Sequence, residues 1–185
     1  PQSKTYPEVW MLGTSNYGAQ LAAYLGIPYC FAHFITDGQG MKTAIDLYKS
    51  EFRPSKNFKK PLVNVCLWAL TAKTEEKAKY LFASRAAWKI GRNFGQLGPI
   101  TDPDNAINII HENNWQEQYE FMFENSIVGE ISKTKEKIIS LVDDNNIDEI
   151  AILTWCHNEK ARIQSYELFA NEFNLNVKKT LQKTC

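Results

Sequence analysis

Near its start the chain contains a cluster of small and polar residues, Gly13-Thr14-Ser15-Asn16-Tyr17-Gly18, that is suited to binding a ligand. Two hydroxyl side chains and an amide stand there between two glycines, directly after the short apolar run Val9–Leu12. Apolar residues then recur at helical spacing until Gly26. The pattern predicts a buried strand, a tight polar turn and the beginning of a helix.

Such a turn could bind an anion, and a phosphate in particular. The first N–H groups of a helix have no partner within the helix, and the helix dipole is positive at that end. Glycines beside them let an anion come close. The same residues also fit a simpler interpretation, in which Thr14 or Ser15 caps the helix and the glycines only let the chain turn. The residues alone leave both interpretations open.

Composition excludes several classes of partner. The chain has 185 residues, 44% of them hydrophobic, which predicts a single domain over residues 1–185. Lysine plus arginine and aspartate plus glutamate count 21 each, so no overall charge attracts nucleic acid. No apolar run approaches the ~20 residues of a membrane span, and the first residues lack the apolar centre of a signal peptide. We therefore expect no nucleic acid, no membrane and a cytoplasmic location.

Cysteine and histidine usage indicates neither disulfides nor a metal. The cysteines form no Cys-x-x-Cys pair and are typical of reduced thiols in a cytosolic protein: Cys30, Cys66, Cys156 and Cys185. The histidines stand at none of the short spacings that metal sites use: His33, His111 and His157. The sequence therefore predicts no metal site.

Strand and helix patterns alternate along the chain. The predicted strands are mostly apolar on both faces, as in a covered parallel sheet: Val9–Leu12, Tyr29–Phe34, Leu62–Leu70 and Ile150–Trp155. A closed (β/α) barrel takes ~250 residues, so four strand–helix units predict an α/β fold that makes half a barrel. Residues 94–115, rich in Gly, Pro and Asn, are predicted to be an irregular insertion loop, and residues 175–185 a polar tail.

Three segments carry a resemblance to a known family. They are Trp10–Phe34, the turn Ser126-Ile-Val-Gly129, and Arg162–Ala170 with its Arg-Ile-Gln-Ser-Tyr-Glu-Leu-Phe-Ala helix. They resemble the bacterial-luciferase-like, FMN-dependent monooxygenases, and specifically the carboxyl-terminal half of that TIM-barrel fold. The resemblance implies FMN as cofactor, with reduced flavin supplied by a reductase, and oxidation of a small organic substrate with O2.

The resemblance also implies a site. It places the Ser15 hydroxyl at the FMN phosphate and the backbone N–H groups of Thr14, Tyr17 and Gly18 beside it, so Gly13–Gly18 is the expected cofactor-binding turn. His33, at the end of the predicted second strand, is a weak candidate for a substrate or flavin contact, because barrel active sites lie at that end. It also fits a half-buried, hydrogen-bonded histidine. No catalytic base or nucleophile is assigned.

Nothing in the sequence resembles the first four strands of that family. The implied function is therefore a luciferase-like monooxygenase, or the carboxyl-terminal portion of one. The alternatives are a non-catalytic half-barrel that binds flavin or takes part in an interaction, and a phosphate-binding module for another ligand. Because unpaired edges and apolar faces need covering, we expect either a homodimer or a complementing amino-terminal half-barrel chain.

Overall fold

The computed structural model describes residues 7–175, in which every two consecutive strands are connected by one to three helices. The strands are β1 (Met11–Gly13), β2 (Tyr29–Phe31), β3 (Val63–Ala72), β4 (Ile127–Glu130) and β5 (Glu149–Leu153). The helices are α1 (Asn16–Leu25), α2 (His33–Thr36), α3 (Met41–Glu51), α4 (Glu75–Asn93), α5 (Pro103–Glu112), α6 (Gln116–Asn125), α7 (Ile131–Asn145) and α8 (Glu159–Glu172). Cys185 and nearly all of the predicted polar tail lie outside the described residues.

The described residues divide into two compact units. The first contains the residues up to Trp68 together with Ile139–Leu153, and the second contains Ala69–Ile138 together with the residues from Thr154 onward. Strand β3 begins in the first unit and ends in the second.

The first unit is built on a parallel sheet with the order β1-β2-β3-β5. Met11 is the register partner of Tyr29, Tyr29 of Val63, and Val65 of Ile150. Parallel neighbours require crossover connections, which α1 provides between β1 and β2, and α2 and α3 provide between β2 and β3. Strands β1 and β5 are therefore the two edges of this sheet, as the sequence predicts.

The two faces of this sheet differ in burial. One face carries large apolar residues that are fully buried in the core: Tyr29, Phe31, Val63, Val65 and Leu67. The opposite face carries Leu12, which is 55% exposed, and half-buried Cys30, Asn64, Cys66 and Ala151. We call this second set the open face. Its residues are either paired across adjacent strands or two positions apart on one strand, so their side chains lie on the same face of the sheet.

The second unit joins the rest of β3 to β4 and packs four helices around them. Ala69 is the register partner of Ile127 and Ala72 of Glu130. The core between α4 and α5 consists of small and large apolar residues: Ala83, Ala87, Ile90, Ala106, Ile110 and Trp115. Alternating small and large side chains let the two helices approach closely and fill the space between them.

Two hydroxyls of α8 fasten this helix to the strand ends. The Ser165 hydroxyl accepts a hydrogen bond from the Thr71 N–H at 3.0 Å, and both groups are buried. The Tyr166 hydroxyl accepts one from the Thr154 N–H at 2.9 Å. Buried N–H groups without an acceptor cost about 1–3 kcal/mol each. The Ser-Tyr pair of the family-like helix is therefore structural.

The structure corrects three predictions. Residues 94–115 are not irregular throughout, because α5 occupies Pro103–Glu112 with Asp102 as its N-cap. Ser126–Gly129 is not only a turn, because Ile127–Glu130 forms β4. The second strand ends at Phe31 instead of Phe34, so His33 begins α2 and does not end a strand. Each missed element is short or is interrupted by turn-forming residues.

Within residues 7–175 no helix is long and apolar enough to cross a membrane. The same residues contain no group of three or more His, Cys, Asp or Glu side chains that could hold a metal ion.

Candidate functional site

The turn predicted to hold a cofactor connects β1 to α1. Strand β1 ends at Gly13, and Ser15 has an extended backbone (φ −98°, ψ 152°) as the N-cap of α1. The Ser15 hydroxyl accepts a hydrogen bond from the Gly18 N–H at 3.2 Å, and its carbonyl accepts one from the Ala19 N–H. Ser15, and not Thr14, is thus the cap, and its hydroxyl proton remains free to donate outward.

The strand end before this turn is held by two hydrogen bonds to one carbonyl. The Gly13 oxygen accepts from the Ala32 N–H at 3.0 Å and from the Tyr29 hydroxyl at 3.3 Å. Burial raises the pKa of Tyr29 to about 12, with a smaller contribution from the neighbouring Cys30. The phenol therefore stays protonated at neutral pH and can keep donating to Gly13. This role of Tyr29 cannot be inferred from the sequence, because it depends on a contact between residues 16 positions apart.

The turn itself is open to solvent and electropositive. Ser15, Asn16 and Tyr17 are exposed, Tyr17 to 73%. The first turn of α1 contains no acidic residue. The N–H groups of Asn16 and Tyr17 occupy the first two helical positions, where an α-helix offers no internal acceptor. These donors and the helix dipole make the turn suitable for an oxyanion.

Neither glycine of the turn is required by the fold of this chain. Gly13 and Gly18 are absent from the glycines with positive φ. A Cβ added at Gly13 would meet no atom within 4 Å, and one at Gly18 would make an ordinary contact with the Ser15 hydroxyl at 3.6 Å. The space beside them is free for a ligand, so the residues present fit a phosphate group.

His33 lies apart from this turn in the sequence, as the first residue of α2. Its side chain is half-buried, and its ring lies so close to the backbone of Gly38 that a Cβ there would stand 2.7 Å from Nε2. Gly38 has a φ of +85°, which suits glycine. His33 therefore packs within its own loop, which agrees with the half-buried histidine among the two interpretations.

The thiols of the described residues are held in their neutral form. Burial raises the pKa of Cys30 to about 11, and it also raises the pKa of Cys66 and of Cys156. All three are free thiols and half-buried. A neutral thiol is a poor nucleophile, so none of them is a candidate for covalent catalysis.

The parallel strands connected by helices form an α/β fold of the (β/α) TIM-barrel type, in which the Gly13–Gly18 turn follows the carboxyl end of β1. No family model matches the chain. A luciferase-like monooxygenase of Escherichia coli strain K12 is 32% identical over 161 residues, which cover 86% of this chain and 48% of that protein. The chain belongs to the luciferase-like family, and it spans about half the length of the curated relatives it matches.

Solved structures agree with this assignment. The crystal structure of apo-MsnO8 has a TM-score of 0.86 at 26% identity, covering 95% of this chain and 54% of that one. The oxygenating constituent of 3,6-diketocamphane monooxygenase from the CAM plasmid of Pseudomonas putida, solved in complex with FMN, has a TM-score of 0.61 at 18% identity. That match covers 90% of this chain and 48% of that protein, and it supports the fold alone.

Proposed function

We propose that this chain binds FMN through its phosphate at the Gly13–Gly18 turn and serves a luciferase-like, FMN-dependent monooxygenase reaction. The observation that carries the proposal is the exposed N-terminus of α1, where the Ser15 cap, the acid-free first turn and the open space at Gly13 coincide. A fold neighbour whose structure contains FMN supports the choice of ligand. In this proposal the Ser15 hydroxyl and the N–H groups of Asn16 and Tyr17 hold the phosphate.

In the proposed reaction the flavin and the protein have separate roles, as in other enzymes that use a cofactor. The flavin, when bound and reduced, would supply the electron pair that reduces O2, so that one oxygen atom is transferred to a small organic substrate and the other leaves as water, and the protein supplies binding and orientation. In this proposal a reductase provides the reduced flavin. Supply by a reductase and the free thiols of the chain both fit a cytoplasmic location. Tyr29 fixes the end of β1 through Gly13, so the turn after it keeps its place.

We also propose that the open face of the first unit is covered by a second copy of the chain. Leu12, Cys30 and Cys66 are partly accessible on this face, whereas Tyr29, Phe31, Val63, Val65 and Leu67 on the opposite face are fully buried. Strands β1 and β5 each have one hydrogen-bonded neighbour among the described residues, so the other edge of each strand could pair with a strand of another chain. Two-fold symmetry would pair β1 of one copy with β5 of the other. The alternative occupant is a complementing amino-terminal half-barrel.

Two spectroscopic measurements test the flavin proposal. The visible spectrum of FMN is expected to shift on adding the purified chain. When reduced FMN with excess chain is then mixed with oxygenated buffer in a stopped-flow instrument, reoxidation is expected to differ at least about fivefold from that of free reduced FMN, because a held flavin meets O2 in a changed environment. A spectral shift with unchanged reoxidation would contradict the monooxygenase activity and favour the non-catalytic half-barrel. No shift would contradict FMN binding itself.

A further inference from the structure

A separate cavity of about 500 Å³ lies within the second unit, where the first turns of α4 meet the beginnings of α5 and α8. That volume is within the ~300–1,000 Å³ typical of small-molecule sites. The polar side chains that line it are Lys77, Tyr80, Asp102, His157, Asn158, Lys160 and Gln164. Leu81, Pro103 and Ala161 supply an apolar wall. The FMN proposal uses none of these residues.

The two lysines that line this cavity form no salt bridge among the described residues. The salt bridges of the described residues include neither Lys77 nor Lys160. The Lys77 ammonium lies 4.5 Å from the centre of the Tyr80 ring, which keeps it against the cavity wall without neutralising it. The cavity thus offers two lysines to a ligand beside an aromatic and apolar surface.

The one carboxylate in the lining, that of Asp102, accepts hydrogen bonds from the nearby Asn105. One Asp102 oxygen accepts from the Asn105 N–H at 3.0 Å, and the other accepts from the Asn105 side-chain amide at 2.6 Å. These hydrogen bonds lower the pKa of Asp102, to which the nearby His157 also contributes. Asp102 therefore stays ionised with both oxygens engaged by Asn105, and the lining of the cavity carries this one carboxylate and two lysines.

The dipole of α8 adds to the positive charge of the two lysines. Asn158 caps the helix by accepting from the Ala161 N–H at 2.9 Å, and both residues line the cavity. The positive end of the 14-residue helix therefore lies at the cavity beside Lys160. The acidic residue of its first turn, Glu159, is outside the lining and lies 3.7 Å from the Arg162 guanidinium. Two lysines, a helix N-terminus and an apolar wall of Leu81 and Pro103 together favour a molecule with an apolar body and an anionic end.

We propose that this cavity binds a small organic acid. Its carboxylate contacts Lys77 and Lys160, and its apolar body packs on Tyr80, Leu81 and Pro103. The proposal does not depend on FMN binding, since it uses other residues.

Phenylacetate and its neutral analogue phenylacetamide form a matched pair of probes, titrated against the 185-residue chain by calorimetry or NMR. We expect the chain to bind phenylacetate at least about fivefold more tightly than phenylacetamide, because only the acid meets the lysines. Lys77→Gln and Lys160→Gln should each remove most of that preference. Lys56→Gln, which makes the same charge change at an exposed position of the first unit, should leave it unchanged.

Three results would overturn the proposal. The first is no measurable binding of phenylacetate, and the second is equal affinity for the acid and the amide. The third is a preference that survives in both Lys77→Gln and Lys160→Gln, or that falls equally in Lys56→Gln. Circular dichroism of each variant separates loss of binding from loss of fold.

Discussion

At micromolar concentration the chain is expected to sediment as a dimer with twice its own mass, and Leu12→Lys is expected to make it monomeric. Leu12 is 55% exposed on the open face, so the lysine costs the single chain little. In the dimer two lysines would be buried in an apolar interface without partners, which is strongly unfavourable. We expect the dissociation constant to rise at least about 100-fold, or about 2.8 kcal/mol.

Leu25→Lys is the matched control, because Leu25 is 48% exposed but lies at the end of α1 and not on the open face. Its dimer should persist. A monomeric wild-type chain, or a Leu12→Lys chain that dimerises as well as Leu25→Lys, would show that a second copy does not cover the open face. Purification with a half-barrel chain of different sequence would favour the complementing partner instead.

The largest effect on stability is expected for Gly26→Ala. Gly26 ends α1 in the left-handed conformation with a φ of +61°. A Cβ there would overlap the carbonyl oxygen of Arg53 and approach the Cβ of Ser55 to 2.8 Å. The same segment is held by a hydrogen bond from the Arg53 N–H to the Ala23 oxygen, so it cannot move away freely. We expect the free energy of unfolding to fall by about 3 kcal/mol in urea titrations.

Gly40→Ala separates backbone strain from overlap. Gly40 also has a positive φ, +80°, but a Cβ there would meet no atom within 4 Å. The substitution should therefore cost only the left-handed conformation, about 1–2 kcal/mol. Equal losses at Gly26 and Gly40 would contradict the close packing of Gly26 against the 53–55 segment.

The long elements of this fold were predictable because their signals are local and strong. The apolar run Leu62–Leu70, predicted as a strand, corresponds to β3. Thr74 followed by Glu75 and Glu76 is a local start signal at the N-cap of α4. Helix α5 also has a strong local start signal, since Asp102 and Pro103 favour an N-cap and a first helical position. The surrounding glycines, prolines and asparagines obscured it. Strand β4 is only four residues long and is defined by its pairing with β3. No local sequence pattern predicts that pairing.

The turn that we propose as the FMN site could be located from the sequence, but its hydrogen bonds could not. The glycines and hydroxyls of the turn mark it in the sequence, yet Thr14 and Ser15 are equally good caps by residue type. Only the backbone geometry selects Ser15. The support from Tyr29 depends on a contact between residues 16 positions apart, and such contacts follow from strand register. The cavity lined by Lys77 and Lys160 forms where α4, α5 and α8 meet. The sequence does not show which helices pack together.

Titration of FMN and of riboflavin against the wild type and against Ser15→Asp determines whether the chain holds FMN by its phosphate at Gly13–Gly18. Aspartate also caps helices well, so α1 should persist, but its charge would face the phosphate. We predict that the wild type binds FMN more tightly than riboflavin. In Ser15→Asp, FMN affinity should fall at least about tenfold, or about 1.4 kcal/mol, with riboflavin affinity unchanged. Thr74→Asp, at the N-cap of α4, should behave as the wild type. Equal FMN affinities in the wild type and Ser15→Asp, or no preference of the wild type for FMN over riboflavin, would contradict phosphate binding at Gly13–Gly18.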